Sequence, residues 1–125
     1  MASSAFPESV KRLIAERIDS VPELEALLLL REHRGRDWTP SDAGQRLYVS
    51  AAVAAHVLAK LAGHGFLSSG EGGYRYAPGV ELASAVDQLA EAYAHHLVEV
   101  TQMIHTKPPP SIRQFADAFR FRKDK

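Results

Sequence analysis

The residues of this chain best suited to chemistry are histidines and carboxylates that share one short stretch. His95 and His96 lie near Glu91, Glu99 and His105, and side chains three or four positions apart share a helix face, so this group could supply metal ligands. The spacing matches neither HExxH nor a comparable motif, and histidines in such a helix more often pack or face solvent. We therefore expect no metal ion.

Other catalytic patterns are missing from the sequence. The chain has no cysteine, which excludes a disulfide framework, a thiolate zinc site and a cysteine nucleophile. It also lacks a glycine-rich phosphate loop, a nucleophile elbow and a carboxylate pair at an informative spacing. The sequence predicts that the protein is not an enzyme and uses no cofactor.

Four basic residues in the middle of the chain could instead contact phosphates. They are Arg46, His56, Lys60 and Arg75. Arg31, Arg34 and Arg36 would join them if the intervening loop lies nearby. The alternative is that all are ordinary solvated bases, because Lys plus Arg and Asp plus Glu both total 15. This balance argues against a nucleic-acid binder that works by bulk positive charge.

The charges are nevertheless segregated along the chain. Residues 79–106 carry four acids and no Lys or Arg, whereas residues 107–125 carry six bases and two acids, a net charge of +4. An acidic segment is thus followed by a basic one.

These side chains need a scaffold, and the apolar spacing predicts a mostly helical one. With 125 residues and 46% hydrophobic residues, the chain is long enough for one domain with its own core. Helices are expected over about 7–18, 20–32, 40–47 and 50–63, with serine caps at Ser20 and Ser50. A strand, a glycine-rich tip and a second strand follow over 66–76.

A seam of apolar residues then continues at steps of three or four. Its members are Leu82, Val86, Leu89, Tyr93, Leu97, Val100 and Ile104. This spacing predicts one long helix, which would be about 35 Å in length and longer than so small a core needs. The excess seam predicts a partner helix and hence a homodimer.

The end of the chain combines a stiff spacer with an aromatic, basic segment. Three prolines at 108–110 precede a predicted last helix that contains Phe115, Phe119 and Phe121. This segment could fold onto the acidic helix of its own chain or of a dimer partner, grip DNA phosphates, or dock into another protein. Binding to a membrane surface is a weaker fourth use, because its apolar face is short.

Residues 22–76 resemble the winged helix-turn-helix domains of bacterial transcription regulators, particularly the MarR-like and PadR-like groups. The sharpest match is VLAKLAGHGFLSSGEGGYRY at 57–76, which resembles the end of a recognition helix followed by a wing. Leu61 precedes Gly65-Phe66-Leu67 by four positions, as an apolar residue does in those families. PadR-like regulators also follow the wing with a long helix that pairs two subunits.

The resemblance implies that the helix over 50–63 enters the major groove of double-stranded DNA. Its DNA-facing residues would then be Ser50, Ala51, Ala52, Ala55, His56 and Lys60, with Arg75 on the wing and Arg46 nearby. The alanines offer methyl contacts without hydrogen-bonded readout, and the wing tip carries Glu71.

The sequence therefore predicts four parts: an N-terminal helix at 1–20, a winged helix-turn-helix domain at 21–78, a long dimerisation helix at 79–106, and a spacer with a terminal helix at 107–125. Its predicted function is that of a homodimeric DNA-binding transcriptional regulator. The alternative is a winged-helix module that binds a protein partner and has lost DNA readout. No leader pattern and no apolar run long enough for a bilayer are present, so we expect a cytoplasmic location without a membrane partner.

Overall fold

The computed structural model describes residues 6–107, which form six helices and one two-stranded antiparallel sheet. The elements in chain order are α1 (Glu8–Arg17), α2 (Val21–Glu32), α3 (Pro40–Leu47), α4 (Ala51–Gly63), β1 (Leu67–Gly70), β2 (Gly73–Tyr76), α5 (Val80–His95) and α6 (Leu97–His105). The predicted mostly helical class with a small hairpin is confirmed. The terminal helix predicted beyond the prolines, with Phe115, Phe119 and Phe121, lies outside the described residues.

Polar side chains set the starts of α2, α3 and α4. Ser20, Thr39 and Ser50 each accept a hydrogen bond from the backbone amide three residues later, at 3.0 to 3.3 Å. Such a bond satisfies one of the amides that the first turn of a helix leaves unpaired. At α2 the Glu23 carboxylate also accepts from the Asp19 amide at 3.0 Å. The caps predicted at Ser20 and Ser50 are confirmed.

The hairpin is anchored to the helices through Trp38. Strands β1 and β2 pair with Leu67 opposite Tyr76 and Gly70 opposite Gly73, and Trp38 forms an antiparallel bridge with Tyr74 through bonds of 2.7 and 2.8 Å. Gly73 has φ +119, and a Cβ there would lie 2.2 Å from the Trp38 carbonyl oxygen. Only glycine therefore allows the hairpin to approach Trp38 this closely.

One core joins all of these elements. Helix α1 packs mainly on α5 and α6, while α2 and α3 pack on α4. The largest fully buried side chains include Trp38, Phe66, Ile14 and Leu58. The order of α2, the Trp38 bridge, α3, α4 and the hairpin is compatible with a winged-helix arrangement.

The prediction of one long helix over the seam is wrong. The chain breaks at His96, which has φ −139 and ψ 53, and α5 and α6 are separate helices. The ring of Phe6 packs edge-on against His96 at 5.4 Å between centroids. Ala92 and Val100, on either side of the break, are both buried, while Leu97 is 53% exposed.

Within residues 6–107, no helix is both long enough and apolar enough to cross a bilayer.

Candidate nucleic-acid interface

Helices α3 and α4 are joined by a tight turn that fixes their relative position. Tyr48 ends α3 in the left-handed conformation, with φ 61 and ψ 40, and the Val49 amide donates to the Gly44 carbonyl at 3.0 Å. A Cβ on Gly44 would lie 2.8 Å from the Val49 oxygen, so the turn closes directly over this glycine. The result is a compact pair of helices joined by a tight turn.

The two sides of α4 differ sharply in burial. Ala54, Val57, Leu58 and Leu61 face the core. The opposite side presents the residues that the sequence assigned to DNA: Ser50, Ala51, Ala52 and His56 are exposed, and Ala55 is half-buried. Val53 shares the apolar spacing of Val57 and Leu61 in the sequence, but it is exposed. This surface carries small and apolar groups, with His56 as its one ionisable side chain.

Lys60 is engaged within the fold. Its amine lies 3.0 Å from Oδ2 of Asp19 and 3.0 Å from Oε2 of Glu23, and the Glu23 side chain is only 5% exposed. Burial by itself lowers the pKa of Lys60, but its hydrogen bonds to the two carboxylates and their negative charges outweigh burial and raise that pKa. The cation therefore helps to hold α4 against the start of α2, and its assignment to DNA stays a prediction.

Arg75 is also engaged within the chain. Its Nε lies 2.9 Å from Oδ1 of Asp37, with both side chains partly exposed. The sequence assigned Arg75 to the wing as a positive group, but Asp37 offsets that charge at the hairpin. With exposed Glu71 at the tip, the described hairpin has no unpaired Lys or Arg.

Among the basic residues that the sequence assigned to phosphate contacts, three arginines are held by aromatic rings, and we call them the arginine cluster: Arg34, Arg36 and Arg46. The guanidinium carbons of Arg36 and Arg46 lie 3.9 and 5.4 Å from the centroid of the Trp38 ring, and that of Arg34 lies 5.4 Å from the Tyr76 ring centroid.

Stacking on a ring orients a guanidinium without neutralising it. Arg36 forms a long ion pair, with its Nη2 4.0 Å from Oδ2 of Asp42. Nη2 of Arg46 lies 3.2 Å from Nε2 of His33. Within residues 6–107, neither Arg34 nor Arg46 forms an ion pair. The sequence contained the signal, because Arg34 and Arg36 were expected to join Arg46 if their loop lay nearby. Arg31 stands apart, since it pairs with Asp87 at 3.0 Å.

The seam assigned to a dimer interface is used largely inside the chain. Val86, Leu89, Val100 and Ile104 are buried, Leu82 and Tyr93 are half-buried, and Leu97 is exposed. The four buried residues belong to the core that α5 and α6 share with α1, and their assignment to a dimer interface stays a prediction.

Tyr93 lies on the α2 side of α5. Its hydroxyl donates to Oε2 of Glu25 at 3.4 Å, and burial together with the Glu25 charge raises the pKa of Tyr93.

The histidine and carboxylate stretch does not assemble into a larger cluster. Nε2 of His95 lies 3.1 Å from Oε2 of Glu91, and both side chains are well exposed. Among the described residues, no three His, Asp or Glu side chains lie close enough together to hold a metal ion.

No protein-family model, curated protein or solved structure matches the chain.

Proposed function

We propose that residues 21–78 form a winged helix-turn-helix domain that binds double-stranded DNA, and that the protein acts as a transcriptional regulator. The observation that carries this is the arginine cluster beside a helix-turn-helix unit whose second helix exposes one full side. In such units the second helix enters the major groove while the first crosses the phosphate backbone. Arg46 belongs to that first helix, and Arg36 shares its aromatic support.

The surface chemistry favours contacts to the backbone over readout of bases. The alanines on α4 can contact thymine methyl groups, and His56 and the Ser50 hydroxyl can hydrogen-bond a base edge. Phosphate contacts position a protein without carrying sequence information directly. We therefore expect binding of general duplex DNA with modest sequence preference, rather than the tight discrimination that bidentate side chains give.

A second candidate function follows from a different observation. Tyr48 is 94% exposed at the turn before α4, and Val53 on α4 is exposed as well. An exposed, uncharged aromatic and aliphatic surface is typical of protein recognition. In this alternative the same side of α4 binds an apolar surface of another protein, and the arginines are ordinary solvated bases.

Fluorescence anisotropy across a salt series separates the two functions. The purified chain is titrated onto a random-sequence duplex and onto the DNA upstream of its own gene. Each phosphate contact contributes about 0.9 to the slope of log affinity against log salt, so three arginines predict a slope between about −2 and −3.

Variants of the cluster locate the binding surface. Arg46→Gln and Arg36→Gln should each lower the magnitude of the slope by about 1. Lys11→Gln removes the same charge from an exposed position on α1 and should leave the slope unchanged. Binding that is absent at low salt, or that is equally affected by Lys11→Gln, contradicts DNA binding through this surface.

The second candidate instead predicts that Tyr48→Ser abolishes site-directed cross-linking from α4 to a partner protein, whereas Arg46→Gln does not.

A further inference from the structure

The outward side of α6 carries an apolar patch that no described residue covers. Leu97 and Val98 open the helix and are 53% and 61% exposed. They follow the break at His96, beside a shallow groove of about 340 Å³ that Pro7, Glu91 and His96 help to line. Val100 and Ile104 face the core from the other side of the same helix. Together they form a small apolar surface that another segment can cover.

The charge around the patch is negative. Glu91 lines the groove, Glu99 lies one residue beyond Val98, and both are exposed. No Lys or Arg occurs between residues 79 and 106. An occupant that combines apolar groups with basic ones would therefore suit this surface.

The chain itself supplies such a segment beyond Lys107. Residues 108–125 contain five bases and two acids, together with Phe115, Phe119 and Phe121. The sequence spacing places Ile112, Phe115 and Phe119 on one side of a helix, with Phe121 off that side.

The point at which this segment leaves the described fold is fixed. The Lys107 amine donates to the carbonyl oxygens of Ile14 and Ile18 at 2.5 and 2.6 Å, and to Oδ1 of Asp19 at 2.9 Å. Lys107 is thereby tied to the end of α1, next to the end of α6. Leu97 lies about 12 Å back along α6 from there, because eight residues at 1.5 Å each separate Leu97 from His105.

We propose that residues 111–121 fold back along the outer side of α6 and cover Leu97 and Val98. Three prolines span about 9 Å, and eleven helical residues span about 16 Å, so the segment is long enough to reach the patch. Phe115 and Phe119 supply the apolar contact, and the arginines lie beside Glu91 and Glu99. A tethered segment has an effective concentration in the millimolar range, which favours it over a second copy at micromolar concentration. This fold-back does not depend on DNA binding.

Cysteine cross-linking in the full-length chain tests the contact directly, because the native sequence has no cysteine. Val98→Cys is combined with Phe119→Cys or with Phe115→Cys, and the oxidised protein is run on a non-reducing gel. We expect an intramolecular disulfide, which removes both free thiols from the denatured protein while the chain stays at monomer size on the gel. The matched control pairs Phe119→Cys with Ser69→Cys, an exposed position on β1, and should not cross-link. Cross-linking no better than this control, or disulfides that join two chains, overturns the fold-back.

A second measurement does not depend on the pairing register. Hydrogen exchange of the α6 amides is followed in the full-length double variant Phe115→Ser/Phe119→Ser. Loss of the cover should quicken exchange at residues 100–105 by about tenfold, since local opening governs protection there. Phe121→Ser removes one equivalent ring from the other side of the segment and should have little effect. Equal exchange in the double variant and the native chain would refute the contact.

Discussion

Replacing Lys60 with methionine removes one cation from a nearly buried cluster and leaves the surrounding volume almost unchanged. In the native chain the amine lies 3.0 Å from a carboxylate oxygen of Asp19 and 3.0 Å from one of Glu23. Asp19 keeps a second partner, since Lys107 lies 2.9 Å from its other oxygen. Within residues 6–107, the Glu23 carboxylate then keeps one hydrogen bond, which it accepts from the Asp19 amide. The substitution therefore strands a buried negative charge chiefly at Glu23.

The expected cost follows from the burial of the three side chains. Removing one member of a fully buried ion pair costs about 3–5 kcal/mol, because the remaining charge loses its compensation. Here the Glu23 side chain is 5% exposed but Lys60 is 29% exposed, so water can reach part of the site. We expect the free energy of unfolding to fall by about 2 kcal/mol, which lowers Tm by about 8 °C in a chain of this size.

Urea denaturation measures this loss, with two controls. Lys11→Met makes the same chemical change at an exposed position on α1 and should cost less than about 0.5 kcal/mol. Adding Glu23→Gln to Lys60→Met removes the stranded charge and should recover about 1 kcal/mol. Equal, small losses for Lys60→Met and Lys11→Met would refute the ion-pair assignment and return Lys60 to the group of free surface cations.

Three further outcomes are expected. The fold raises the pKa of Lys60 above its ordinary value of 10.5, so the stability from its ion pairs is complete below that pH and is lost as pH rises through the higher folded value. The urea midpoints of the native chain and of Lys60→Met should therefore converge as pH rises above about 10.5. A constant difference between the two midpoints would contradict the pairing. Gly73→Ala should lower the free energy of unfolding by at least about 2 kcal/mol and red-shift the emission of Trp38, the single tryptophan, because a Cβ would lie 2.2 Å from the Trp38 oxygen. Gly70→Ala is the control, since a Cβ there meets no atom within 4 Å. Equal effects of the two substitutions would count against the bridge between Trp38 and Tyr74. Tyr48→Gly should raise the free energy of unfolding by about 0.5–1 kcal/mol, because the left-handed conformation strains a residue with a Cβ. Tyr48→Ala keeps the Cβ and should leave the stability nearly unchanged. A loss of stability in Tyr48→Gly would contradict this and show that the exposed ring is itself stabilising.

Local signals made most of the helix starts predictable from the sequence. The caps at Ser20 and Ser50 act over three residues, so their evidence lies within one short window of sequence. The glycines around the hairpin are also a local signal, because a tight turn depends on the few residues that form it. These elements account for the agreement between predicted and observed helix and strand positions.

The site was less predictable because its charges are paired over long separations. Lys60 meets Asp19 across 41 positions and Arg75 meets Asp37 across 38, and nothing local marks either pair. The seam shows the same limitation. Periodicity identified the apolar side of residues 82–104, but it did not reveal that α1 covers it or that the helix breaks at His96. Spacing predicts which side of a helix is buried, while the identity of the covering element depends on the whole fold.

The packing of α1 on the last described helices has a consequence for biosynthesis. Ser9 hydrogen-bonds to Gln88 across 79 positions, and Lys107 reaches Ile14 across 93. At roughly 5–20 residues per second, a ribosome needs on the order of 4 to 18 s to add the residues between α1 and the end of α6. During that interval α2, α3 and α4 can already pack against one another, while the side of α1 that α5 and α6 later cover stays exposed. A nascent chain released before α6 would keep that side open to chaperones or to other nascent chains.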